Sequence, residues 1–243
     1  MVDALFGVAR LAGVYDALDP GRREDLEHYV AMVEEFGAGR VLDVGCGTGE
    51  LACWLGRLGV EVVGVDPAEA SLEVAKGKEF AERVRWIHGD ATTLPPLEVD
   101  LAVMTGNVAQ VFLTDEEWAG TLRGVRGALR PGGRFVFETR DPARRGWEEW
   151  TREDTHQVTP VAGGETVESW SDLTSVELPF VSFRGTYVFS SDGAVLTSDS
   201  TLRFRERVEI EESLRTAGFA VDDVREAPDR PGKEFVFVAS RAD

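Results

Sequence analysis

The sequence predicts an α/β fold: a doubly wound, mostly parallel seven-stranded sheet whose final strand runs antiparallel, with an antiparallel β insertion after the fifth strand. Three observations carry that expectation. Short Val-rich runs alternate with helical segments between residues 41 and 138, as parallel strands covered on both faces do. Residues 156–205 switch to period-two alternation, with Gly163-Gly164 and Asp192-Gly193 as turn pairs, the pattern of antiparallel hairpins. Two last strands are separated only by a short turn around Arg230-Pro231-Gly232, so they pair antiparallel.

Taken in order, residues 2–18 show helical spacing interrupted by Gly7 and Gly13. From Pro20 to Phe36, Leu26, Tyr29, Val30 and Val33 share one helical face, with Asp19 as N-cap, Pro20 in the first turn and Gly37 as the stop. Strand 41–44 leads through a glycine run into a helix from Glu50 to Leu58; strand 60–66, a helix over 68–80, and strands 84–90 and 100–105 follow. Thr114 caps the next helix with Glu117 reciprocating, and Trp118, Leu122, Val125 and Leu129 form its apolar stripe. Arg130-Pro131-Gly132-Gly133 reads as the turn that ends it, before strand 134–138. After an insertion of three or four strands come a helix over 208–217, closed by Gly218, and strands 219–225 and 234–240. The expected organisation is a helical lid over 1–37, a core made of 38–150 and 206–243, and a β-rich insertion over 151–205 that covers a substrate or pairs two copies as a homodimer.

At 243 residues and 43% hydrophobic, the chain can bury one sizeable core. It has no run of 18 apolar residues and no leader-like start, so a soluble, cytoplasmic protein without membrane contact is expected. Cys46 and Cys53, seven apart, match neither a zinc spacing nor a disulfide framework, and no metal is expected. A net charge of −18, from 44 acids against 26 bases, argues against nucleic acid, whose binding rests on Lys and Arg neutralising phosphates. It leaves a neutral or cationic small substrate easier to receive.

Residues 41–50 read VLDVGCGTGE, and three alternating glycines build neither a strand nor a helix interior. A strand ending in Gly-x-Gly and turning into a helix presents N–H groups with no side chain in front, so a ligand can lie on the main chain; a tight turn without a ligand is the competing interpretation. The dinucleotide fingerprint wants a third small residue where Glu50 stands, which disfavours NAD and FAD. Asp66, 21 residues after Gly45, stands where a carboxylate accepts hydrogen bonds from a ribose. The ligand reads as a nucleoside without a diphosphate.

With those residues in place, the sequence resembles the class I S-adenosylmethionine-dependent methyltransferases. The resemblance rests on Asp43 with Gly45, Gly47 and Gly49, on Asp66, on HGDATTLP with Asp90 and Ala91, on Met104-Thr105-Gly106-Asn107, and on LRPGGRFVFE over 129–138. VYD at 14–16 and the β-rich insertion are similar to small-molecule enzymes of the amino-sugar and glycine N-methyltransferase type. The resemblance implies a Rossmann-like core and S-adenosylmethionine as cofactor, with S-adenosylhomocysteine as product. It places Gly45, Cys46 and Gly47 beneath the methionine part, Asp66 on the ribose with Pro67 stiffening the turn, and Asp90 and Ala91 on the adenine. Thr105 and Asn107 would face the sulfonium, and Tyr15 would close over from the lid.

Methyl transfer from a sulfonium is an in-line displacement that chiefly needs alignment and exclusion of water, and a base only when the nucleophile must first lose a proton. No catalytic residue is assigned. Glu138 and Asp141 at the carboxyl edge of the fifth strand, and His156 near the start of the insertion, are the candidates; His28 and His88 read as surface or structural, and Gln110 and Trp147 as walls for the substrate. Amine, hydroxyl and carbon nucleophiles all remain open. A macromolecular methyltransferase is the alternative, opposed by the acidic balance and by Thr105-Gly106-Asn107-Val108 standing where amino-directed DNA enzymes carry Asn/Asp-Pro-Pro-Tyr. A protein that binds the cofactor without transferring anything is a third.

Overall fold

A computed structural model describes residues 2–18 and 24–242; the expected cap Asp19 and first-turn Pro20 lie outside them. Three single-turn helices, α1 (Ala4–Gly7), α2 (Ala9–Ala12) and α3 (Tyr15–Leu18), precede α4 (Glu24–Glu35). The chain continues as β1 (Arg40–Val44), α5 (Glu50–Arg57), β2 (Glu61–Asp66), α6 (Glu69–Lys76), β3 (Val84–His88), β4 (Val99–Met104), α7 (Asp115–Ala128) and β5 (Leu129–Arg140). Then come α8 (Arg152–Thr155), β6 (Gln157–Pro160), β7 (Thr166–Glu177), β8 (Phe180–Phe189) and β9 (Val195–Arg203), and finally α9 (Arg207–Thr216), β10 (Phe219–Glu226) and β11 (Glu234–Arg241).

Seven strands form one sheet in the order β10-β11-β5-β4-β1-β2-β3. Only β11 runs against the others, between β5 and β10. Its two faces explain the Val-rich runs: Leu42, Val65, Met104 and Phe137 pack under α7 and α9, while Val41, Val62, Leu101 and Val136 pack under α4 and α5. Each such side chain contributes roughly 1.5–3 kcal/mol on burial. Phe135, Phe137 and Phe237 stack across β5 and β11 at centroid distances of 4.7 and 5.2 Å.

Caps set the helix limits. The N–H groups of Gly37 and Ala38 return to the carbonyls of Glu34 and Val33, with Gly37 at φ +60°, so the last turn of α4 closes on a left-handed glycine. Thr114 and Glu117 form the reciprocal cap expected for α7. Two boundaries differ from expectation. α6 stops at Lys76, and residues to Arg83 make turns, with Phe80 left-handed at φ +66°. Residues 130–133 belong to β5 rather than to a turn. Gly133 passes so close to β4 that an added Cβ would stand 3.2 Å from the Asp100 carbonyl; the glycine lets the strand begin directly after α7.

A second sheet, β6-β7-β8-β9, is antiparallel throughout. Its first and third turns carry the expected glycines, Gly163 and Gly164 at φ +83° and +78° and Gly193 at +70°; the middle one is Leu178-Pro179, which leaves no glycine signal. The N-terminal helices bridge the two sheets. The Ser71 hydroxyl of α6 donates to the Phe6 carbonyl at 3.0 Å, while Leu5 N–H donates to Ser198 at 2.9 Å and Gln157 to the Leu18 carbonyl at 2.8 Å. Leu11 is buried against Val167, Tyr187 and Phe189. Among the described residues no helix is long and apolar enough to cross a membrane, and no group of three His, Cys, Asp or Glu side chains is placed to hold a metal ion.

Candidate active site

The three glycines after β1 are all left-handed, at φ +73°, +51° and +77°, yet they meet different surroundings. A Cβ on Gly45 would lie 2.8 Å from Val108, and one on Gly49 would lie 2.5 Å from the Trp86 ring. One on Gly47 would meet nothing within 4 Å. Gly45 and Gly49 therefore serve packing, and the uncovered main chain is at Gly47. The N–H groups of Gly45 and Cys46 are spent on the Val65 carbonyl. Burial, reinforced by Asp43 and Asp66, pushes the Cys46 thiol well above its ordinary range, so it is an inert filler.

Asp66, at the end of β2, grips the loop. Its two oxygens accept the N–H groups of Gly47 at 2.8 Å and Ala68 at 2.7 Å. Burial raises its pKa while those two bonds oppose the rise. Each carboxylate oxygen can accept more than one donor, so both retain capacity for a ligand. Next door, the Pro67 carbonyl lies 3.1 Å from the His88 ring. Asp90 holds its own turn, one oxygen accepting both the N–H and the hydroxyl of Thr92. Ala91 is buried against α7, where a Cβ on Gly124 would fall 1.9 Å from the Ala91 carbonyl oxygen; the Ala91 N–H enters no hydrogen bond among the described residues.

After β4 the chain turns through half-buried Thr105 and then two left-handed residues, Gly106 at φ +68° and Asn107 at +60°. Their consecutive N–H groups donate to one oxygen of Glu138, at 2.7 and 3.2 Å. The other oxygen accepts the Tyr29 hydroxyl at 2.8 Å. Burial, then the neighbouring Glu234, pushes Glu138 up to about 7. Glu234 in turn accepts from Asn107 at 3.1 Å and from Arg230 at 2.8 Å.

The N-terminal helices pack from the other side. Asp16 accepts the Thr48 hydroxyl at 2.5 Å and pairs with Lys78 at 2.6 Å, which puts Tyr15 beside the glycine loop. Tyr15 also borders a cleft of about 280 Å³ between the lid and the second sheet, lined by Leu5, Leu18, Thr155, Gln157, Ser169, Trp170, Ser171 and Tyr187. Among the described residues no Asp, Glu, His, Lys or Arg lines it. The hydroxyls of Ser169 and Tyr187 enter no hydrogen bond among the described residues, although both residues are buried.

The other expected residues stand elsewhere. Asp141 caps a short turn through the Ala143 N–H at 2.9 Å. His156 is exposed and pairs with Glu168 at 3.0 Å. Gln110 is buried and accepts from Arg140 at 2.9 Å, and Trp147 packs edge-on against Phe204 at 4.7 Å; neither forms a wall of the cleft. Conversely, Ser169, Ser171, Tyr187 and Glu234 went unnoticed in the sequence. Period-two alternation put Ser169 and Ser171 on one face of a strand, but nothing said what that face looks onto.

Residues 41–133 match the family profile of a methyltransferase domain. The cypemycin N-terminal methyltransferase of a Streptomyces species is 32% identical over 131 residues, 54% of this chain and 53% of that protein. The chain spans about half the length of the curated relatives it matches. Among solved structures, an S-adenosylmethionine-dependent methyltransferase from Clostridium acetobutylicum aligns with a TM-score of 0.76 at 15% identity, over 96% of this chain and 98% of that one. A Micromonospora echinaspora amino pentose methyltransferase, solved with S-adenosylmethionine bound, aligns with a TM-score of 0.72 at 22% identity, over 94% and 97% of the two chains.

Proposed function

We propose that the chain, whose residues 41–133 match a methyltransferase-domain profile, is an S-adenosylmethionine-dependent methyltransferase that methylates the nitrogen of a small-molecule amine held in the cleft between the N-terminal helices and the second sheet. The observation that carries this is the bare main chain at Gly47, tied to the Asp66 carboxylate and roofed by the lid that borders the cleft. The donor set suits the cofactor: open space where a Cβ would stand at Gly47, spare acceptor capacity on Asp66, and an unused N–H at Ala91. When bound, S-adenosylmethionine supplies a methyl group on a positively charged sulfur.

The chain's own residues then have three tasks. Gly47 takes the methionine part, Asp66 the ribose with Pro67 behind it, and Asp90 and Ala91 the adenine. Thr105 faces the reacting end, Asn107 is turned from it because its buried amide is held by Glu234, and Tyr15 with the lid excludes water. Proximity and orientation supply roughly 7–11 kcal/mol, so alignment suffices without a base. Among the described residues the cleft also presents no base. Its lining holds, among those residues, no carboxylate, imidazole or amine, and burial pushes the Tyr187 phenol up to about 12. An alcohol would need its proton removed before attack, whereas an amine in its free-base form brings its own lone pair. The similar proteins are named for mixed acceptors, an N-terminus and an amino pentose beside O- and C-methyltransferases, so the choice of nitrogen rests on the cleft.

Purified protein given methyl-labelled cofactor and a panel of amines, alcohols and carboxylates, read by mass spectrometry, tests this. Labelled amines are expected, at a rate that climbs with pH to the acceptor's own pKa and then levels. Labelled alcohols or acids would overturn the choice of nitrogen. Calorimetric binding of the cofactor with no labelled product from any acceptor would leave a binding protein.

A further inference from the structure

We infer that Glu138 is a positioning residue for methyl transfer, whose carboxylate sets the height of the β4 turn against the glycine loop. Methyl transfer as proposed above is the premise for this role. β4 and β5 pair in parallel with Met104 opposite Phe137, so Glu138 stands level with Thr105 just as β4 ends. Gly106 and Asn107 are consecutive left-handed residues, and both their N–H groups converge on Glu138 Oε1. The next residue, Val108, presses on Gly45, where even a methyl group would come within 2.8 Å. A shift of the turn is therefore transmitted to the loop that carries Gly47.

The turn is fixed from two other elements as well. Tyr29 of α4 holds Glu138 Oε2, Glu234 of β11 holds the Asn107 amide, and Arg230 and Arg140 lie at 2.8 and 3.8 Å from Glu234. Glu138 is 4% exposed, does not border the cleft, and has both oxygens engaged by protein donors. It is buried beyond the acceptor's reach, yet it holds the segment that carries Thr105 and Asn107. The groups facing it are Tyr29, Glu234, Arg140 and Arg230. A displacement of about 1 Å at an aligned centre can cost on the order of a hundredfold in rate.

Reach and charge can be separated by two substitutions. E138Q keeps the reach: its amide oxygen can accept both N–H groups and its NH2 can donate to the Tyr29 oxygen. E138D keeps the charge but withdraws it by one methylene. The expected result is that E138D lowers kcat tenfold or more while the calorimetric Kd for S-adenosylmethionine stays within threefold. E138Q is expected to bring kcat back to within threefold of the wild type, with the same pH profile. An inactive E138Q beside an active E138D would make the carboxylate a proton acceptor and overturn the role. Two variants with altered melting temperature but wild-type kcat would overturn it too, as a purely structural effect. Should E138D not fold, Y29F supplies the second arm: it releases one oxygen of Glu138 and is expected to lower kcat two- to fivefold at constant Kd, and an unchanged kcat would count against the role. A wild-type protein that fails to bind the cofactor would instead remove methyl transfer itself.

Discussion

The glycine loop and the cleft adjoin at the lid, but they are made of different material. The loop is backbone: Gly47 offers bare main chain, and Asp66 is turned to N–H groups within 24 consecutive residues, 45–68. The cleft is made of side chains drawn from the N-terminal helices, α8 and three strands, with hydroxyls, an amide and apolar groups but, among the described residues, no charge. A backbone surface binds whatever is common to all substrates of a fold and can be altered only by changing the path of the chain. A surface of side chains can be re-cut residue by residue without disturbing the sheet that presents it.

Substitutions at the glycines should expose that contrast most strongly. Gly49→Ala adds left-handed strain to a clash with Trp86, together about 2–5 kcal/mol, seen as a large drop in melting temperature. Gly47→Ala carries only the strain, about 1–2 kcal/mol, and should remain folded while its calorimetric affinity for S-adenosylmethionine falls a hundredfold or more; wild-type affinity would break the contrast at its centre. Ser169→Ala with Tyr187→Phe removes hydroxyls worth roughly 0.5–1.5 kcal/mol each. The acceptor's KM should rise about threefold to tenfold per hydroxyl by that measure, with cofactor affinity unmoved. A parallel loss of cofactor affinity would mean that the two surfaces are one.

The smallest effect sharpens a further difference, because the lid over the cleft is clamped partly by charge. Arg10 of the lid bonds Asp192 beyond β8 at 2.7 Å and lies over the Phe189 ring. That bond, with the Ala194 N–H, holds Asp192 down at about 2. With the folded value below the ordinary value of about 4, the carboxylate adds stability at neutral pH that is lost as pH falls from about 4 toward about 2. The melting-temperature difference between wild type and Arg10→Ala should accordingly narrow over that interval. The pair is surface-exposed, so the difference should also shrink with added salt.

The same contrast explains what the sequence could reveal. Gly45, Gly47, Gly49 and Asp66 were legible because a left-handed backbone needs glycine and the partners lie close along the chain. The cap of Thr114 with Glu117 was legible for the same local reason. Tyr29 and Glu138 are 109 residues apart, and Asn107 and Glu234 are 127 apart; no spacing rule links them until the sheet order places β4, β5 and β11 side by side. The cleft is harder still, since Ser169 and Tyr187 sit opposite each other in the ladder of a hairpin whose buried face is defined by the lid. Residues 130–133 misled for the opposite reason. Pro and Gly in succession signal a turn locally, and only the neighbouring strand turns them into sheet.

Trp86 lies directly beneath Gly49, its indole nitrogen donating to the Ala81 carbonyl at 3.1 Å. Its ring thus touches the floor of the loop without reaching into the space above Gly47. That position makes it a native optical probe. With the chain's five other tryptophans replaced by phenylalanine where the fold tolerates it, steady-state emission at one wavelength would follow occupancy of the loop without a dye or a label.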